Sequence, residues 1–197
     1  MKINFKKELR DWGFIVLVFG ILYITGAYTE VAAFTQRMVL ATGIISPDTS
    51  MPENEKQQAD YDFNILTFKN EKLDFKELKG KVVFLNFWAS WCAPCIAEMP
   101  GIENLYNQYK DRDDIVFVMV SLDREIEKAD KFIARKDFTF PVYKPDMSTG
   151  IPSMYNSPSI PTTFILSKSG LIDSKQVGMA SYDSKKFRKY LDKLLDD

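Results

Sequence analysis

The chain has 197 residues, 46% of them hydrophobic, and its 26 lysines and arginines nearly balance its 27 aspartates and glutamates. Such a balance offers no basic surface to nucleic acid, and the complete absence of histidine excludes every mechanism that needs imidazole as base, proton shuttle or metal ligand. The length suits one ordinary domain plus additional segments.

Residues 1–11 form a basic flank, with Lys2, Lys6, Lys7 and Arg10 against Glu8 and Asp11. From Trp12 to Tyr28 no residue is charged, a run that spans roughly 25 Å as a helix. Carried on to Ala33, with Glu30 near the far headgroups and Trp12, Tyr23 and Tyr28 as interfacial anchors, residues 12–33 are expected to form a transmembrane anchor. The basic flank then predicts a cytoplasmic N-terminus and an exported remainder, placing the protein single-pass in the cytoplasmic membrane with an extracytoplasmic or periplasmic domain. A cleaved signal peptide is the alternative, because Thr25-x-Ala27 and Val31-x-Ala33 loosely resemble cleavage sites; the length of the apolar run and its long flank favour retention. Residues 34–60 are expected to be a juxtamembrane segment and linker. The mixed pattern from Ala32 to Ile45 fits an amphipathic helix on the membrane surface and a frayed end of the anchor equally well. Ser46–Asp60 is polar, carries two prolines and reads as a linker that reaches roughly 50 Å when extended.

Residues 61–197 have the size and pattern of a single α/β domain. Phe63–Phe68 and Lys72–Asp74 flank Asn70-Glu71 as a hairpin, followed by a short helical turn over Phe75–Leu78 that stops at Gly80. Val82–Trp88 is a continuous apolar run of the kind buried on both faces of a sheet. A helix follows over Cys95–Tyr109, with Pro100 expected to kink it. Next come a strand at Ile115–Ser121, a helix at Ile126–Arg135 and a short strand at Phe140–Tyr143. Thr162–Leu166 and Ile172–Val177 pair around Ser169-Gly170, and a helix over Phe187–Leu195 closes the chain. This order implies a mixed sheet with helices on both faces.

Cys92-Ala93-Pro94-Cys95 holds the only cysteines, between the apolar strand and the helix. A thiol at a helix start faces unpaired backbone N–H groups and the positive end of the dipole, which favours the thiolate that attacks disulfides. Three other uses of two cysteines compete. A structural staple across so short a loop contributes only about 2 kcal/mol on the chain-entropy estimate. Structural zinc requires four Cys or His ligands, which this chain does not have, so no metal is expected. Two inert buried thiols are disfavoured by this spacing directly after a strand. Glu98, three residues beyond Cys95, lies on the same helical face and is read as a partly buried carboxylate near the thiols, against a solvated surface charge. Trp91 and Trp88 are candidates for the walls of a substrate groove, with core packing favoured for Trp88. Pro161 reads by itself either as a cis proline or as a trans proline opening an edge strand.

The stretch Asn86-Phe87-Trp88-Ala89-Ser90-Trp91-Cys92-Ala93-Pro94-Cys95, then Glu98-Met99-Pro100, then Ile160-Pro161-Thr162-Thr163-Phe164, resembles membrane-tethered thioredoxin-like proteins of the TlpA and ResA type. The resemblance covers nearly all of residues 61–197 and implies a thioredoxin-like fold. It implies that Cys92 is the exposed nucleophile, Cys95 the buried resolving thiol and the two a redox-active disulfide. Pro161 would be a cis proline facing it, with Ile160 offering backbone to an extended substrate in a groove that includes Trp91, Ala93 and Pro94. Thioredoxins carry a buried acid six residues before the first cysteine; here that position is Asn86, and the tethered subfamily is thought to use an acid at the position of Glu98 instead. The expected activity is a protein thiol-disulfide oxidoreductase without a cofactor, reducing substrate disulfides and recharged by a membrane thiol reductase. Apocytochrome c maturation and general envelope thiol repair are the tasks the family suggests. A disulfide-forming oxidant of the same fold and a binding module without turnover are the alternatives.

Overall fold

The computed structural model describes residues 5–25, 27–43 and 45–197. Lys2 and Gly26 lie outside the described residues, as do the side chains of Lys6, Lys7, Glu8, Asp11 and Ala27, so the basic flank is described only at Arg10. Among the described residues there are five α-helices: α1 (Phe5–Thr25), α2 (Ala27–Ala41), α3 (Ala93–Tyr109), α4 (Ile126–Lys136) and α5 (Lys185–Asp196). The strands are β1 (Gln57–Gln58), β2 (Asn64–Thr67), β3 (Lys72–Asp74), β4 (Val82–Trp88), β5 (Ile115–Ser121), β6 (Val142–Pro145), β7 (Thr162–Leu166) and β8 (Leu171–Val177). They form one mixed sheet in the order β1-β8-β7-β4-β5-β6-β2-β3. β4 runs parallel to β5 and antiparallel to β7, and β5 runs parallel to β6.

β4 is buried along its whole length because it lies near the middle of the sheet with apolar cover on both faces. Val82, Phe84 and Trp88 point into one core, while Val83, Leu85 and Phe87 point into the other. In the first core Phe84 meets Phe117, Tyr182 and Phe187, and Trp88 meets Phe132.

The helices on the two faces of the sheet differ in kind. Buried side chains of α3, α4 and α5 all belong to the first core, whereas the second is closed by Tyr61, Phe63 and two single-turn 3-10 helices, Phe75–Leu78 and Ser153–Tyr155. The cause is topological. From β4 to β5 to β6 the chain advances in one direction across the sheet, and right-handed crossovers then place α3 and α4 on the same face.

Two expectations about the N-terminal third also change. Among the described residues no single helix is long and apolar enough to cross a membrane; Trp12–Thr25 and Tyr28–Ala41 meet that test only together, as a bent pair. The expected continuous span over 12–33 is therefore two helices, and the second packs on α3. Ala33 and Leu40 are buried in the first core, and Glu30, expected among headgroups, ion-pairs with Arg135 at 2.9 Å and Lys136 at 2.8 Å.

Ser46–Asp60, expected to be a free linker, lies along the β8 edge of the domain. The backbone N–H of Met51 donates to Asp173 O, Ser174 Oγ donates to Asp48 O, and β1 pairs with β8. Lys56 reaches 2.6 Å from the buried carboxylate of Asp173, which also accepts from Tyr190 Oη at 2.5 Å. A polar segment can add an edge strand through its main chain, which is why hydrophobic patterning missed it. Lys56→Met should cost about 1–3 kcal/mol of unfolding free energy in urea titrations, because a buried carboxylate oxygen loses its partner; a free linker would show no loss.

Candidate functional site

β4 ends at Trp88, a short turn follows, and α3 begins at Ala93 with Pro94 in its first turn. Cys92 is the N-cap of α3: its Sγ accepts from the backbone N–H of Cys95 at 3.2 Å. The two sulfurs are joined as a disulfide with the Cα atoms 5.3 Å apart. Cys95 is wholly buried and Cys92 is 5% exposed, so the solvent-facing edge of the pair belongs to Cys92, though it is far less open than an exposed nucleophile would be. Trp91 beside it is 59% exposed, whereas Trp88 is in the core.

The turn that presents the dithiol is pinned by Asp123, just after β5. Its carboxylate accepts from Ser90 N at 2.8 Å, Ser90 Oγ at 2.7 Å and Ser121 Oγ at 2.9 Å. Nothing local in the sequence marks Asp123, because the loop it holds lies 33 residues away along the chain.

Across from the disulfide the Ile160–Pro161 peptide is cis. The Ile160 carbonyl oxygen lies 3.7 Å from Cys92 Sγ. Ile160 is half-buried and Pro161 buried, while Ala93 and Pro94 are half-buried on the helix side of the same place. Trp91, Ala93, Pro94 and Ile160 thus gather around Cys92.

Glu98 is 2% exposed, one helical turn beyond Cys95. Its Oε1 accepts from Asn86 Nδ2 at 2.9 Å and its Oε2 from Ala180 N at 3.1 Å. Asn86 Nδ2 also donates to Thr163 Oγ1 at 2.8 Å, and Tyr182 Oη donates to that same oxygen at 2.6 Å. Burial pushes the Glu98 carboxyl up to about 8, outweighing the two N–H donors, which favour the charged form. A cavity of about 220 Å³ between α2 and α3, with Arg37 and Leu40 on one side and Ala180 and Ser181 on another, reaches Glu98. Asn86, Thr163 and Tyr182 thus join Glu98 in one buried network; the sequence marks Asn86 as a polar residue inside an apolar strand, at the position of the thioredoxin acid, and gives no sign of Tyr182.

No group of three or more Cys, Asp or Glu side chains poised for a metal ion occurs among the described residues. What remains is a dithiol at a helix N-terminus, a cis-proline edge and a buried acid. Residues 47–192 match the Redoxin family. The chain belongs to it. Over 125 residues this Redoxin chain is 41% identical to the thioredoxin-like protein YneN of Bacillus subtilis, covering 63% of this chain and 72% of that one. Over 194 residues it is 29% identical to the thiol-disulfide oxidoreductase ResA of Geobacillus kaustophilus, spanning 98% of this chain and 99% of the relative. The crystal structure of StoA from Bacillus subtilis superposes with a TM-score of 0.54 at 26% identity, covering 66% of this chain and 95% of that one. This Redoxin protein is a thiol-disulfide oxidoreductase with a thioredoxin-like fold.

Glu98 gives the oxidised protein a definite pH dependence. Its folded-state pKa near 8 lies above the ordinary carboxylate value of 4.5, so the folded protein holds a proton that the unfolded chain releases. Its stabilising contribution is complete below about 4.5 and is lost as pH rises through about 8. Urea titrations across that window should show falling stability in the wild type and a flatter profile for Glu98→Gln. Identical slopes would place the carboxyl in solvent.

Proposed function

We propose that this protein is a membrane-tethered extracytoplasmic reductase of protein disulfides. The reading rests above all on the position of Cys92: its sulfur caps α3, accepts the Cys95 N–H and sits beside the cis-peptide edge where an extended substrate segment can dock. In the reduced enzyme the Cys92 thiolate attacks one sulfur of a substrate disulfide, forming a mixed disulfide and releasing the other sulfur as a thiolate. Cys95 then gives up its proton and attacks Cys92 Sγ. The substrate leaves with both sulfurs reduced, and the enzyme keeps the Cys92–Cys95 disulfide, having passed on two electrons.

The ionised form of Glu98, a minority species at neutral pH with its pKa raised to about 8, takes the proton of Cys95 as that thiol attacks, and the protonated form returns it when the disulfide is reduced again. Asn86 Oδ1 is buried and unpartnered, so a half-turn of the amide gives a protonated Glu98 the acceptor it needs. A membrane thiol reductase supplies the electrons for the next cycle. Substrates are protein disulfides outside the cytoplasm, with apocytochrome c as one member of that class. The tether is the α1–α2 pair.

Direction follows from what stabilises the thiolate. Helix-end donors contribute about 0.3–1 kcal/mol when exposed and up to about 2 when partly buried. The gap between a thioredoxin-like and a strongly oxidising potential is about 7 kcal/mol. Ala93 and Pro94 add no cation, and the chain has no histidine to add one.

Cys95→Ser should accumulate a mixed disulfide with substrate through Cys92, and Cys92→Ser should abolish attack, both read on non-reducing gels. The protein in detergent should reduce insulin, with a glutathione-equilibrium potential roughly below −200 mV; a value near −120 mV would establish a disulfide-forming oxidant instead. For the tether, a tag after Asp197 should be cleaved by protease added to spheroplasts while a tag at Met1 is protected. Protection of both would remove the extracytoplasmic placement.

A further inference from the structure

Helix α2 carries its charges on the side opposite to that of an ordinary surface helix. Glu30, Ala33, Arg37 and Leu40, at helical spacing, face the domain, where Ala33 and Leu40 are buried and Glu30 bonds Arg135 and Lys136. Tyr28, Val31, Phe34, Met38 and Val39 face away and are 46–60% exposed. Thr35 is exposed beside them, and none of these residues is charged. A helix that packs one face on a soluble domain normally puts its charges toward water, because exposed apolar area there is unfavourable. Here both faces are built to be covered, and the domain covers only one.

We propose that the outward face of α2 lies in the headgroup and acyl boundary of a lipid bilayer, so that α2 is a two-sided bracket with the redox domain on one face and lipid on the other. The inference rests on the tethered reading above and adds that the domain is held at a fixed orientation. Two observations commit the face to lipid. α2 begins two residues after α1 ends, and the segment from Trp12 to Thr25 is apolar and outward-facing, with Val16, Phe19 and Ile24 each more than half exposed. At their junction a cleft of about 610 Å³ is lined by Tyr23, Tyr28, Trp91, Lys128, Lys131 and Arg135. Tyrosine, tryptophan and basic side chains are the chemistry of the headgroup layer and of anionic lipid recognition. Lys128 also bonds Glu125 and Arg135 bonds Glu30, so these two cations are shared and Lys131 is the third of the set. Because Trp91 lines this cleft and adjoins Cys92, the bracket keeps the dithiol close to the membrane surface, within reach of disulfides on membrane-bound proteins.

The test uses the full chain with its Cys92–Cys95 disulfide left oxidised, so that a single introduced thiol alone takes an environment-sensitive fluorophore. Val16→Cys, Phe34→Cys, Met38→Cys and Lys189→Cys are reconstituted into vesicles of phosphatidylethanolamine and phosphatidylglycerol, with or without acyl chains brominated near the headgroup. We expect loss of emission at positions 16, 34 and 38 and none at 189, on the exposed side of α5. Quenching at 16 without quenching at 34 and 38 overturns the bracket and leaves the tether intact. No quenching at any position overturns the tether as well. A disulfide dimer of the unlabelled Phe34→Cys protein under copper-catalysed air oxidation, with the labelled protein unquenched at 34, assigns the face to a second copy of the chain and also overturns the proposal.

Discussion

A carboxyl group buried one turn beyond Cys95 ties the site to the rest of the molecule. Glu98 holds α3 to β4 through Asn86, and β4 to β7 through Thr163, while Ala180 and Tyr182 bring in the segment before α5. Each of these partners is buried, and an unpaired polar group in such a place costs about 1–3 kcal/mol. The network therefore fixes the register in which the helix bearing the dithiol meets the sheet. It also leaves Glu98 with a proton near neutral pH, because burial outweighs the donors around it.

The thiol end of the site is built from weaker forces. Cys92 is oriented by backbone: the N–H of Cys95 on one side, the Ile160 carbonyl on the other, and a turn held in place by Asp123 through Ser90. Among the described residues no hydrogen bond joins a charged side chain to either sulfur. Under the proposed mechanism such a site forms and resolves a mixed disulfide without the thiolate stabilisation of a strong oxidant. Glu98 lies one turn beyond Cys95 on the same face of α3, while Cys92 meets the Ile160 edge at the start of the helix.

The N-terminal third shows how a polar or apolar pattern acquires its meaning from what lies beside it. Ser46–Asp60 has little to bury, yet its main chain lengthens the sheet and Lys56 neutralises the buried Asp173. α2 has enough apolar residues to continue an anchor, yet Glu30 and Ala33 turn one face of it toward α4 and α3. The ion pairs and strand pairing that draw both segments in reach partners more than a hundred residues later in the chain.

Local features of the sequence were sufficient for the central elements. Val82–Trp88 reads as a buried strand because every residue but Asn86 is apolar, and the helix after Cys92 reads from its spacing, since both patterns follow from covalent geometry with a short period. The dithiol, its place at a strand-to-helix turn and the absence of any imidazole were equally legible. Tertiary structure alone decided which face each helix covers, because that depends on strand order, which no local pattern encodes. It alone supplied the surroundings of Glu98, since burial and the N–H donors of Asn86 and Ala180 come from three separate elements. It alone drew α2 and the segment Ser46–Asp60 against the domain, because main-chain hydrogen bonds and a distant ion pair carry no signature in hydrophobicity.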